Sequence, residues 1–247
     1  MPWPAEAPGA RRRLDSAAFR ARLADVRDRL SRAADRAGRD PATIRLVAIS
    51  KTFDADYVRA AAECGQVDFG ENKVQEALPK MDQTADLAIR WHLVGHLQSN
   101  KARKAGQRFD VVHSVDNPAL VGRVDEAASE ARRTVELLVQ VDLAGEATKH
   151  GASPDQLLPI FHAGASCRAA RIVGLMVLPP AVAEADAARP YFRSIVALRN
   201  GLVGQGVDPD AVVELSMGMS QDFEVAVEEG ATMVRVGSAI FGERSYV

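Results

Sequence analysis

The sequence predicts one α/β domain: a single (β/α)8 barrel of the TIM type, with an additional N-terminal helix. Three observations carry this. Short apolar runs rich in β-branched residues recur eight times, and helical patterns lie between them. No composition shift or Pro/Gly-rich linker divides the 247 residues. Eight strands alternating with helices in about 250 residues favour a closed parallel barrel. An open doubly wound sheet is the alternative.

In chain order, residues 1–14 read as a flexible tail rich in Pro, Gly and Arg, and 15–247 as the barrel domain. A helix is expected over 15–37, where Phe19, Leu23, Val26, Leu30 and Ala34 recur at helical spacing. Asp15 or Ser16 caps its start, and Gly38 with Pro41 stops it. The run IRLVAIS at 44–50 has the continuous apolar character of a strand buried on both faces. Further strands are expected at 66–69, 90–94, 110–114, 135–142, 171–177, 212–215 and 232–236. Among the intervening helices, one opens at Asp116 and Pro118 and carries Leu120, Val121, Val124 and Ala128. Another opens at Ser153 and Pro154, with a kink expected at Pro159. Phe192, Ile195, Val196 and Leu202 mark a third; Ser220 is expected to cap a fourth, which Gly230 ends.

Hydrophobic residues make up 47% and charged residues 26%, enough apolar side chain for a large core and against disorder. A net charge of −2 argues against a nucleic-acid partner held by phosphate neutralisation. Cys64 and Cys167 have no metal-like or CxxC spacing, which suits a reducing compartment. The N-terminus lacks the apolar stretch of a signal peptide, and no apolar run approaches the ~20 residues that span a bilayer. The expectation is a cytoplasmic protein without a membrane partner.

In such a barrel, chemistry gathers at the carboxyl ends of the strands. Strand one ends Ser50-Lys51-Thr52, strand two Phe69-Gly70-Glu71-Asn72, and strand three Val94-Gly95-His96. Strand seven ends in the run 215–220, LSMGMS, and strand eight in Arg235-Val236-Gly237-Ser238. The last two ends each place Gly and Ser where a strand turns into a helix. That arrangement lets backbone N–H groups approach an anion, and barrels often bind phosphate after strands seven and eight. Tight turns with Ser caps are the alternative reading. Lys51 is one of only six lysines among 31 basic residues, in a chain that otherwise uses Arg for its cations. An amine, unlike a guanidinium, can form a Schiff base. Arg235 in a barrel interior needs a partner. It either makes an inter-strand salt bridge, with Glu214 or Glu243, or faces a cofactor's ring nitrogen or phosphate. Together, an amine, a guanidinium and a phosphate cup suggest pyridoxal 5′-phosphate (PLP).

Other chemistries find less support. His92 and His96 are four apart, but they straddle a strand end and no carboxylate pattern completes a zinc site. No GxSxG or Walker-type motif is present. Ser50, Ser220 and Ser238 have no evident triad partners, and Met217 with Met219 reads as loop packing.

LVAISKT at 46–52, FGENKVQE at 69–76, WHLVGHLQSNK at 91–101, HSVD at 113–116 and GLMVLPP at 174–180 form a recognisable series. It continues with LSMGMSQDFEVAVEEG at 215–230 and TMVRVGSAIFG at 232–242. From strand one onward the chain resembles the pyridoxal phosphate homeostasis protein family, single-barrel relatives of the alanine racemase N-terminal domain. The resemblance implies Lys51 as the PLP lysine and Arg235 facing the pyridine nitrogen. It also implies phosphate contacts from Ser216, Gly218, Gly237 and Ser238, with Asn72 near the cofactor's hydroxyl. Lys149 matches a lysine at the rim of the site. Asp142 stands where many relatives carry Asn, a departure at the rim after strand five. The implied role is PLP binding and vitamin B6 homeostasis, with delivery to apo PLP-dependent enzymes and no established turnover. The alternative is a PLP-dependent amino-acid racemase. Two-base racemisation needs an acid/base group on each face of the substrate Cα. Alanine racemases supply the second from another domain and subunit, for which no room is expected after strand eight.

Overall fold

The computed structural model describes residues 16–145, 150–180 and 183–242. Residues 1–14, expected to form a tail, lie outside them, as do Lys149 and Glu243. The strands are β1 (Arg45–Ile49), β2 (Asp68–Glu71), β3 (Arg90–Leu93), β4 (Val111–Val115), β5 (Val135–Val141), β6 (Ala170–Val177), β7 (Glu214–Ser216) and β8 (Met233–Val236). They form a closed parallel barrel in sequence order. Closure runs through the register Arg45↔Met233 to Ala48↔Val236.

Helices follow the strands: α1 (Ser16–Arg36) precedes β1, and α2 (Ala55–Glu63), α3 (Val74–Gln83) and α4 (Ala102–Arg108) follow β1 to β3. Then come α5 (Pro118–Glu130), α6 (Leu157–Ala165), α7 (Arg189–Gly204), α8 (Phe223–Glu228) and α9 (Ser238–Phe241). Helix α1 forms over nearly the expected span because its apolar stripe has a place to go. Phe19, Leu23 and Val26 are fully buried, and Phe19 meets Phe241 of α9 at 5.6 Å between ring centroids. Arg29 reaches Glu224 of α8 at 3.0 Å. The extra helix therefore fastens both helices beside the seam where β8 closes on β1.

Between barrel and helices lies the main core. Two smaller apolar clusters contain strand residues and no helix residue: Val47, Ile49 and Val94 in one, and Val111, Leu138, Val173, Met176 and Met233 in the other. They fill the barrel interior, together with fully buried His92 and His113.

Four local expectations are corrected. Strand β2 starts at Asp68 because the Gln66 side chain is used against the barrel, donating to the carbonyls of Leu46 and Asp68. Strand β7 starts at Glu214, since 209–212 coil into a 3-10 turn capped by Asp208. Pro159 lies in the first turn of α6, where its missing N–H breaks no helical bond, so it is no interior breaker. Ser220 does not cap α8. Asp222 stands at that position and accepts the Met219 N–H at 2.6 Å. No helix among the described residues is long and apolar enough to cross a membrane.

Candidate cofactor site

A cavity of about 570 Å³ opens at the carboxyl ends of the strands. Its walls bring together Lys51, Asn72, Arg235, Gly237 and Ser238 from strand ends far apart in sequence. Ser216 and Gly218 are not on the wall. Ser216 is buried, and Gly218 shapes the turn above it, at φ +90°, accepting the Arg235 N–H through its carbonyl. A Cβ on Gly218 would meet that of Ala226 at 2.5 Å, so the turn has room only for glycine. Lys149 lies outside the described residues.

Lys51 sits just past β1, half-buried, in a turn closed by the Phe53 N–H on the Ser50 carbonyl. Thr52 after it has φ +71°, a costly left-handed conformation for a β-branched residue. Strain of this kind persists where the surroundings over-determine the backbone. A second amine, Lys80, is close to the same strand end but committed: its Nζ donates to Glu71 Oε1 at 2.6 Å and to the Ser50 carbonyl at 2.7 Å. Among the described residues, Lys51 is the lysine that lines the cavity.

Across from it, the Arg235 guanidinium is 4% exposed. Nη1 donates to Ser216 Oγ at 2.6 Å and Nη2 to the Val177 carbonyl at 2.8 Å. Burial, partly offset by the Asp222 carboxylate, draws this guanidinium down to about 10. It therefore stays cationic at neutral pH. The salt bridge to Glu214 is not formed: that carboxylate pairs with Arg45 at 3.6 Å instead. Among the described residues no carboxylate makes an ion pair with Arg235. A buried cation whose nearby carboxylate, Asp222, only partly offsets its burial is expensive unless a ligand completes its surroundings.

Residues assigned no binding role from the sequence complete the walls. Ser220 Oγ accepts the N–H groups of Gly237 and Ala239, at 3.2 and 3.4 Å. His96 and His150 stack at 3.5 Å on the rim. Gln140 at the end of β5 donates to the His150 carbonyl at 2.6 Å and so ties down the returning rim segment. Asp142, the departure noted above, accepts the N–H groups of Ala144 and Gly145 and forms a local turn there. His92 and His96 go to different places, one into the barrel and one to the rim. Alternation was the available signal for His92: Trp91 and Leu93 on either side of it face the helices, so His92 faces inward, whereas His96 lies past the end of β3.

Gly95 is held to its identity by a close approach. A Cβ there would collide with the Asn72 carbonyl oxygen. Gly95→Ala should push the Asn72 backbone out of the wall and destabilise the protein by roughly 1–3 kcal/mol, as overpacking does. Urea unfolding, with PLP titration alongside, checks this; an unchanged midpoint and affinity would show that the wall yields freely.

The chain has counterparts among known proteins. The model of the alanine racemase N-terminal domain matches residues 21–245. The pyridoxal phosphate homeostasis protein of Pseudomonas aeruginosa is 42% identical over 224 residues, covering 91% of this chain and 95% of that protein. That of Aquifex aeolicus is 39% identical over 225 residues, covering 91% and 98%. The chain belongs to the pyridoxal phosphate homeostasis protein family. Among solved structures, the family member PipY of Synechococcus elongatus, with PLP bound, is 38% identical with a TM-score of 0.79, over 91% of this chain and all of that one. An alanine racemase of Clostridium difficile shares the fold at a TM-score of 0.69 and 14% identity, covering 94% of this chain and 58% of the racemase.

Proposed function

We propose that this chain binds PLP in the cavity, holds it as a Schiff base on Lys51 and serves intracellular PLP homeostasis by releasing it to apo-enzymes. The observation that carries this reading is the presence, in one cavity wall, of an amine and a buried guanidinium that makes no ion pair with a carboxylate among the described residues. The PLP-bound relative supports the choice of cofactor. Bound there, PLP would supply an aldehyde, and Lys51 is the residue whose amine would hold it, with water as the by-product.

The remaining roles belong to the protein's own groups. Arg235 can only donate, so it favours an unprotonated ring nitrogen. That weakens the ring as an electron sink and suits holding the cofactor more than turning over amino acids. We assign the phosphate to the turn at Gly237 and Ser238 and to the turn that Gly218 opens, whose Met219 and Ser220 reach the cavity wall, and the cofactor hydroxyl side to Asn72. The Ser216 hydroxyl is engaged by Arg235 and His113, so we assign it to placing the guanidinium and not to the phosphate.

Titration of the apo-protein with PLP and with dephosphorylated pyridoxal, followed by borohydride reduction and peptide mass analysis, tests the reading. Reduction should fix the cofactor on Lys51. Pyridoxal should bind at least about tenfold more weakly, the loss expected for one charge-assisted hydrogen bond. Equal binding of the two would remove the phosphate cup, and label on another lysine would overturn the attachment.

A further inference from the structure

Below the cavity, a continuous line of hydrogen bonds runs through the barrel interior. Arg235 Nη1 meets Ser216 Oγ at 2.6 Å, and Ser216 Oγ meets His113 Nδ1 at 2.9 Å. His113 Nε2 meets His92 Nδ1 at 2.8 Å, and His92 Nε2 meets Asp68 Oδ1 at 2.9 Å. Ser216, His113 and His92 are all buried to within 1%. The line starts at the carboxyl end of β8 and finishes at the first residue of β2, on the opposite side of the barrel from the cavity.

We infer that Asp68, His92 and His113 are positioning residues for the cofactor, acting on Arg235 through a hydrogen-bond chain that has only one direction. Donors and acceptors fix the direction. A guanidinium only donates, and a carboxylate only accepts. Each of the three groups between them, as a hydroxyl or a neutral imidazole, has one proton to give along the line. The single arrangement that satisfies every link has Arg235 donating to Ser216, Ser216 to His113, His113 to His92, and His92 to Asp68. Both histidines must then carry their proton on Nε2. Reversing any link would set two lone pairs or two protons face to face inside the barrel. Burial holds both imidazoles below their ordinary range; Asp68 opposes it at His92 without overcoming it, and Arg45, Arg90 and Arg235 add to it, so neither becomes a competing cation at neutral pH. Asp68 is itself fixed by Arg90 at 2.7 Å.

The consequence reaches the cofactor. Because the Ser216 proton is committed to His113, its oxygen offers Arg235 only a lone pair, which holds Nη1 and with it the guanidinium plane. Chains of this kind polarise one another in a low dielectric, so a charge at one end is felt at the other. This inference rests on PLP meeting Arg235, but the proton arrangement can be read without PLP.

The test has two parts. In apo-protein labelled with nitrogen-15 in histidine, the two buried rings should be neutral with the proton on Nε2. A proton on Nδ1 of either ring at neutral pH would overturn the chain, whether or not PLP binds. On loading with PLP, the ring nitrogens of His113 should shift although His113 does not line the cavity; an unmoved His113 in the loaded protein would overturn the link to the cofactor. Asp68→Ala should leave a mixture of ring forms, move the absorption maximum of the lysine-bound cofactor and weaken PLP binding about two- to tenfold, the range for one neutral hydrogen bond. Asp68→Asn keeps an acceptor oxygen and should restore the single ring form and most of the affinity. A folded Asp68→Ala protein with the wild-type spectrum and affinity would reduce Asp68 to a structural role. Should that variant fail to fold, the two wild-type measurements decide alone.

Discussion

Lys51→Ala is expected to abolish covalent attachment of PLP completely while leaving the barrel folded. Lys51 is half-buried beyond the last residue of β1, so its side chain contributes to the cavity wall and not to the core. Its loss also finds no ready substitute. Lys80 is held by Glu71 and the Ser50 carbonyl, and the exposed Lys73 pairs with Glu76 at 2.8 Å. The visible band of the lysine-bound cofactor should vanish, and borohydride should fix nothing. Arg235 and the phosphate turns would still bind PLP reversibly and more weakly. In a transfer assay, the wild-type holo-protein should activate an apo PLP-dependent enzyme, and the variant carried through the same gel filtration should not. A retained band, with label mapped to Lys80 or Lys149, would place the attachment elsewhere. A saturable, Lys51-dependent turnover of an amino acid above the background of free PLP would favour the racemase reading.

The second large effect is acid destabilisation that begins above the carboxylate range. His92 and His113 are buried and neutral when folded, their proton affinity lowered first by burial. In the unfolded chain each titrates near pH 6.5. Below that pH the unfolded state binds protons that the folded state refuses, so stability falls as pH falls. Each histidine contributes a slope on the order of 1.4 kcal/mol per pH unit until its folded value is reached. Asp68 adds to the loss at lower pH. Although burial opposes it, the hydrogen bonds from His92 and Arg90 hold this carboxyl below its ordinary value, so its contribution disappears as pH drops through about 3.9 and beyond. Urea midpoints at pH 7.5, 6.0 and 5.0 should decline steeply, and His113→Asn should make the decline shallower. Equal midpoints at the three values would mean that the imidazoles titrate normally inside the barrel.

The fold was legible because a parallel barrel buries its strands on both faces and writes them as apolar runs. The 44–50 run and the periodic 15–37 helix are the clearest cases, and each appears within about a residue of its expected span. The positions of β2 and β7 were not legible: Gln66 and Val212 continue the strand pattern in sequence but are diverted by a side-chain amide and a capped turn. At the candidate site, the meeting of Lys51, Arg235 and the Gly237 turn at one cavity could be read because strand ends are where barrels place chemistry. The family resemblance gave Ser216 a phosphate role. The hydrogen bonds from Arg235 and to His113 suit another, and a serine's partner across the barrel leaves no trace in its neighbours. For the same reason Asp68, His92 and His113 looked like unrelated residues until closure joined their strands.

Closure also gives the molecule a history. Strand β1 leads into Lys51 and pairs with β8, which carries Arg235 and ends at the Gly237 turn. During synthesis β1 leaves the ribosome with one edge unpaired, and about 190 residues must follow before its partner emerges. At ribosomal speeds of about 5–20 residues per second this takes roughly 10–40 s. Throughout that interval the nascent chain holds an open strand edge, exposed to chaperones and to mispairing. Lys51 and the Arg235 side of the pocket come together only with the last strand, so capture of PLP would report that translation of the barrel is complete.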